Sequence, residues 1–164
     1  MTSLAVRPTG APRLAGVRVL LVDDASYIRD VVTDILTEDG ATVTAVASSE
    51  EALAKLQWER PDVLLSDLAM PGRGGYWLIG QVRALPPERG GGTPAAALTA
   101  YTGPEHRASV LRAGFQLHVE KPVTLEALIE VVALLALRES PPPASAFAGT
   151  RSPARSGRSQ PPPR

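Results

Sequence analysis

Five polar residues of this chain stand where short apolar runs stop: Asp23 and Asp24 after 17–22, Asp67 after 63–66, Thr99 at the end of 95–99, and Lys121 after 117–120. Carboxylates gathered within a few ångströms resist ionising together unless a cation sits among them. An all-oxygen group suits a hard ion such as Mg²⁺, which takes one or two carboxylates, a carbonyl and waters and leaves positions for phosphate oxygens. Nothing in the set offers a soft or imidazole-rich site. With such an ion a carboxylate can attack a phosphoryl group, because the metal and Lys121 offset charge on the equatorial oxygens while Thr99 donates a hydrogen bond. The product is an aspartyl phosphate.

These residues meet only if the apolar runs are neighbouring strands. Segment 17–22 is nearly continuously apolar, as in a strand covered on both faces, and 42–46, 63–66, 95–99 and 117–120 follow as strands two to five. Met70-Pro71-Gly72 ends the third strand, since Pro has no N–H for the ladder, and leaves Asp67 at its C-terminal tip. In an open parallel α/β sheet that edge is where ligands bind. Between the strands the pattern turns helical. Ser26 is expected to cap a helix with Ile28, Val31, Val32, Ile35 and Leu36 on its apolar face and a stop at Gly40. Ser48-Ser49-Glu50-Glu51 opens a second helix, packed through Ala52, Leu53, Leu56 and Trp58 and ended by Pro61. Segment 76–84 is the third; Pro86 to Gly92 reads as an open connection. Pro104 begins the fourth helix, which Gly114 stops, and Thr124 caps the fifth over 126–137. Strands alternating with helices call for a parallel sheet covered on both faces.

Composition sets the limits. The 164 residues have two low-complexity ends, which leaves one compact domain. A formal net charge of zero, with charged residues at 21%, gives no global electrostatic case for nucleic acid or membrane. The absence of cysteine excludes disulfides, thiolate catalysis and thiolate metal sites. Residues 1–16 lack the continuous apolar core of a signal peptide, and the apolar stretch near 131–137 is far shorter than the roughly 20 residues of a membrane span. A cytoplasmic protein is expected. Residues 1–16 are expected to form a flexible arm, 17–138 the domain, and 139–164, rich in Pro, Ser, Ala, Gly and Arg, a disordered tail. No helix-turn-helix pattern follows the domain, so specific nucleic-acid recognition is not expected, even from Arg151, Arg155, Arg158 and Arg164.

Asp-Asp, Asp-x-x-Met-Pro, Thr-Ala and Lys-Pro, in this order at these strand ends, resemble the receiver domain of two-component response regulators over roughly 15–138. The resemblance implies a flavodoxin-like (βα)5 fold, a doubly wound five-stranded parallel sheet of order 2-1-3-4-5. It implies Asp67 as phospho-acceptor, Asp24 as direct ligand of Mg²⁺, Asp23 as the second acid, and the backbone carbonyl of Ala69 as a further ligand. Thr99 and Lys121 match the residues that approach the phosphoryl oxygens, and Lys121-Pro122 matches a linkage often held in cis. His118 occupies the conformational switch position, usually Tyr or Phe, and brings a polar ring. Gly74 stands where an Asp is frequent, which loosens that loop. Ala69 and Tyr101 flank the phosphoryl site: Ala69 cannot orient a water and Tyr101 covers the site, so self-dephosphorylation is expected to be slow. The implied donor is a sensor histidine kinase or histidine phosphotransfer protein. Output is expected through the helix 4, strand 5, helix 5 surface, toward a downstream protein or a second copy, with no output domain and no enzymatic turnover beyond its own phosphotransfer and dephosphorylation. The region after strand four also resembles receivers fused to hybrid kinases.

Other readings are weaker. A haloacid dehalogenase-type phosphatase needs a second acid two residues after its nucleophile, where this chain has Ala69. A flavin-binding protein would meet repulsion between flavin phosphate and Asp23-Asp24. A receiver-like scaffold that takes no phosphate would not need all five site residues. The glycines at 72, 74, 75 and 90–92 form no phosphate cradle. His106, in a charged helix start, and His118, alone in a strand, have no metal partner in sequence. Trp58, Tyr76 and Trp77 are expected to pack helices.

Overall fold

The computed structural model describes residues 12–101 and 103–137; the expected tail at 139–164 and most of the expected N-terminal arm lie outside them. Five strands and five helices alternate: β1 (Arg18–Val22), α1 (Ser26–Glu38), β2 (Thr42–Val46), α2 (Ser49–Glu59), β3 (Val63–Asp67), α3 (Gly75–Ala84), β4 (Ala95–Thr99), α4 (Pro104–Ala113), β5 (Leu117–Glu120) and α5 (Leu125–Leu137). All strand pairs are parallel in the order β2-β1-β3-β4-β5, which is the doubly wound architecture the resemblance implies.

Strand pleating divides the core. Val19, Leu21, Val63, Leu65, Ala96 and Leu98 face α1 and α5, joining Val32, Leu36, Leu128 and Val132. Leu20, Val22, Leu64, Ala95 and Ala97 face the opposite layer, with Leu56 of α2, Ile79 of α3 and Val110 of α4. Both sides of β1, β3 and β4 are thus under helices, which accounts for their unbroken apolar runs. The crossover from β1 leads to β2 and that from β3 to β4, in opposite directions, so a crevice opens between the C-terminal tips of β1 and β3.

Four local expectations are corrected. Ser26 does not cap α1: the cap residue is Ala25, and its N–H is taken by Asp23 Oδ1 at 2.9 Å, an Asx-type turn. Residues 12–16 are not a free arm; they form a turn whose Leu14 is fully buried beside α1 and donates its N–H to Asp39 O, while Ala15 and Pro12 lie over Gly40. Trp58 does not pack α2, being 88% exposed. It lies two residues, about 200°, from buried Leu56 on the helix. The connection after α3 is not open: Pro87–Arg89 form a 3₁₀ turn, and Arg83 donates from Nη1 to the carbonyls of Gly91 (2.9 Å) and Thr93 (2.7 Å), from Nε to Gly114 (3.0 Å) and from Nη2 to Gln116 Oε1 (3.1 Å). Ser48 and Thr124 cap α2 and α5 as expected, and Lys121-Pro122 is cis.

Candidate functional site

The crevice gathers residues distant in sequence. Asp23 and Asp24 follow β1 directly, and parallel pairing carries β3 one residue past the last β1 partner, Val22↔Ser66, so Asp67 lies beside them. Carboxylate oxygens of Asp23, Asp24 and Asp67 all lie within 4.8 Å of one another; Asp23 and Asp67 are buried, Asp24 exposed. Thr99 pairs with Glu120 at the β4–β5 tips, which puts Lys121 one step beyond. The Lys121 ammonium lies 3.0 Å from Asp23 Oδ2 and 3.3 Å from Asp67 Oδ1. The Ala69 N–H donates to the same Asp67 Oδ1, at 3.3 Å. Asp67, Ala69, Thr99, Tyr101 and Lys121 line a cleft of about 130 Å³.

The electrostatics are unbalanced. Burial, then the charge of Asp23, push the Asp67 carboxyl above its ordinary value, and Lys121 and the Ala69 N–H only partly offset this. Burial lowers Lys121, but its hydrogen bond to Asp23 and the charges of Asp23 and Asp67 outweigh that and hold it above its ordinary value. The ammonium is therefore shared between Asp23 and Asp67, with the shorter contact to Asp23, in a cluster of three carboxylates. An oxygen-only donor set with excess negative charge fits a hard divalent cation.

The loop from β3 to α3 closes under the site. Gly75 N–H donates to Leu68 O, and a Cβ on Gly75 would lie 2.3 Å from Asp67 O, one on Gly74 2.6 Å from Leu68 O. Gly74 does not loosen this loop; any side chain there would collide with the backbone beside Asp67. Ser49 Oγ donates to Gly74 O, and Arg73 lies over Trp77, 4.5 Å from the ring centroid, and 3.7 Å from a Glu50 oxygen. Arg29 of α1 donates to Asp23 O at 2.7 Å.

His106 was not expected here. Its Nε2 lies 2.8 Å from Thr99 Oγ1, and its ring lies 5.6 Å from that of Tyr101, tilted by 55°. The contact spans the β4–α4 loop, and the spacing from Thr99 carries no periodic signal that would reveal it. His118 lies half-buried on β5 opposite Ala97, on the α4 face of the sheet, apart from the acidic cluster.

Comparison with known proteins agrees with this geometry. Residues 19–133 match the response regulator receiver domain family. The chain is 44% identical over 119 residues to an uncharacterized 14.6 kDa protein of Leptolyngbya boryana from the sodA1 3' region, covering 73% of this chain and 89% of that protein. It is 34% identical over 124 residues to the response regulator protein FleR of Pseudomonas aeruginosa, covering 76% of this chain and only 25% of that protein. The crystal structure of the receiver domain of sensor histidine kinase PA1611 from Pseudomonas aeruginosa, with a magnesium ion coordinated in its active site cleft, superposes with a TM-score of 0.67 at 30% identity, covering 74% of this chain and 98% of that one. With its matching strand order and three acids at the β1/β3 crevice, the chain belongs to the response regulator receiver domain family.

Proposed function

We propose that this chain accepts a phosphoryl group on Asp67 from the phosphohistidine of a sensor histidine kinase or histidine phosphotransfer protein. The observation that carries the reading is the Lys121 ammonium set between Asp23 and Asp67 in a cleft that also holds Thr99. Asp23, Asp24, Asp67 and the Ala69 carbonyl are the residues that would hold Mg²⁺. When bound, the ion supplies positive charge to the phosphoryl oxygens and offsets repulsion among the acids.

An Asp67 oxygen attacks phosphorus; the new P–O bond forms as the P–N bond of the phosphohistidine breaks, and the electron pair stays on the imidazole nitrogen. Asp67 Oδ1 is held by Ala69 N–H and Lys121, so Oδ2 is the attacking oxygen. Lys121 then pairs with a phosphoryl oxygen and Thr99 donates to another. The chain catalyses only its own phosphotransfer and dephosphorylation. The altered surface is α4, β5 and α5, read by a partner protein or a second copy, in the cytoplasm. Among the described residues no helix is long and apolar enough to cross a membrane.

Intact mass after incubation with Mg²⁺ and acetyl phosphate or phosphoramidate tests this. One added phosphoryl is expected, and none in Asp67→Asn or with EDTA; no addition to the wild-type chain rejects the reading. Ala69 offers no group to orient water and Tyr101 lines the cleft, so the phosphoryl group is expected to be lost slowly. Ala69→Asn, whose amide can both donate to and accept from a water, is expected to lose it faster.

A further inference from the structure

Thr99 Oγ1 has one proton to donate. It accepts the Tyr101 N–H at 3.1 Å and keeps a second lone pair, and its proton has two acceptors within reach, Tyr101 O at 3.5 Å and His106 Nε2 at 2.8 Å. The 2.8 Å contact fits either ring tautomer: Nε2–H donates to the second lone pair of the hydroxyl, or Nε2 accepts the hydroxyl proton while Nδ1 carries the ring hydrogen. The same hydroxyl proton is the one a phosphoryl oxygen on Asp67 requires. Thr99 cannot donate to both.

We propose that His106 is the Nδ1–H tautomer, whose Nε2 accepts the Thr99 proton, and is a positioning residue that competes with the phosphoryl group for that hydroxyl: it holds Thr99 while Asp67 is unmodified and is released when the phosphoryl group arrives. The inference rests on Asp67 being the phospho-acceptor. His106 lies in the first turn of α4 and also borders a surface cleft with Tyr101, Gly103, Pro104 and Glu105. Release therefore frees the start of α4 and Tyr101 together, because the Tyr101 N–H loses its acceptor in the same movement. The exchange is reciprocal: whatever holds His106 against Thr99 disfavours the modified state, and removal of His106 favours it.

The chain has two histidines, so the ring ¹⁵N signals of the full chain are simple to assign, with His118→Gln identifying His106. Mg²⁺ with beryllofluoride serves as the phosphoryl probe, and bound ¹⁹F signals report its occupancy. The expected result is an Nδ1–H pattern for His106 whose Nε2 signal shifts toward that of a solvated imidazole as bound ¹⁹F signals grow. In Thr99→Val the His106 signal is expected at the released position with or without the probe, and Thr99→Ser is expected to restore the shift. His106→Phe, which keeps a ring beside Tyr101 without an acceptor, is expected to bind beryllofluoride roughly two- to tenfold more tightly, the range of one net hydrogen bond. Bound ¹⁹F signals with no movement of His106 would overturn the latch and leave Asp67 as acceptor. No bound ¹⁹F signal, with no mass gain from acetyl phosphate, would overturn the acceptor reading and the latch with it.

Discussion

Lys121 is the residue whose removal separates the competing charges most clearly. Its raised pKa means that it stabilises the fold fully below the ordinary lysine value of 10.5, and that this contribution is lost as pH rises through the higher folded-state value. Lys121→Met leaves two buried carboxylates facing one another without an ammonium. In metal-free protein it is expected to cost about 1–3 kcal/mol, the range for stranding a buried polar group. The stability gap between wild type and variant, followed by denaturant midpoint against pH, is expected to be constant near neutrality and to close in the alkaline range. A gap that persists unchanged there would mean that packing of the lysine stem, not its charge, carries the effect. Asp67 behaves oppositely: with its folded-state value raised, it weighs against the metal-free fold as pH rises past the ordinary 3.8, and fully above the raised value, since burial and Asp23 both disfavour its charge.

At the scale of elements, the site depends on how closely the chain can turn beneath it. Gly75 opens α3 against the carbonyl of Asp67 itself, so Gly75→Ala must push the acceptor's backbone aside. A cost of about 1–3 kcal/mol is expected, as for other overpacked sites, with a loss of phosphoryl uptake larger than the loss of fold; thermal midpoint and intact mass on one sample distinguish the two. The strands and their polar tips were legible in the sequence because burial on both faces leaves unbroken apolar runs. What was not legible was decided by contacts distant along the chain. Ser26 became the first residue of α1 and not its cap, because the turn held by Asp23 on the Ala25 N–H sets the helix start one residue earlier. The glycine-rich segment after α3 looked open because nothing in its own residues reveals that Arg83 fastens it. Residues 12–16 looked solvated, yet Leu14 found a place in the core. His106 escaped for the same reason, since its bond to Thr99 exists only once the β4–α4 loop has folded back.

For the molecule as a whole, acidic charge at one sheet edge predicts coupling between metal and stability. A cation that binds the folded chain alone stabilises it by about 2.7 kcal/mol at a hundredfold excess over its Kd. Mg²⁺ is therefore expected to raise the melting temperature of the wild-type chain, and by less in Asp67→Asn. An equal rise in both would place the ion away from the crevice. The opposite sheet edge is fastened differently. Arg83, a guanidinium whose burial lowers its pKa, grips Gly114, the residue that closes α4, and at the same time the segment before β4 and the side chain of Gln116 before β5. One end of α4 is thereby anchored to α3, while near the other His106 meets the Thr99 hydroxyl and the Tyr101 ring. A ten-residue helix is about 15 Å long, and His106 stands in its first turn, so a displacement at Thr99 is expected to be felt at the end of α4 remote from Gly114. On the proposed reading, a phosphoryl group arriving at one sheet edge swings α4 about the buried arginine at the other.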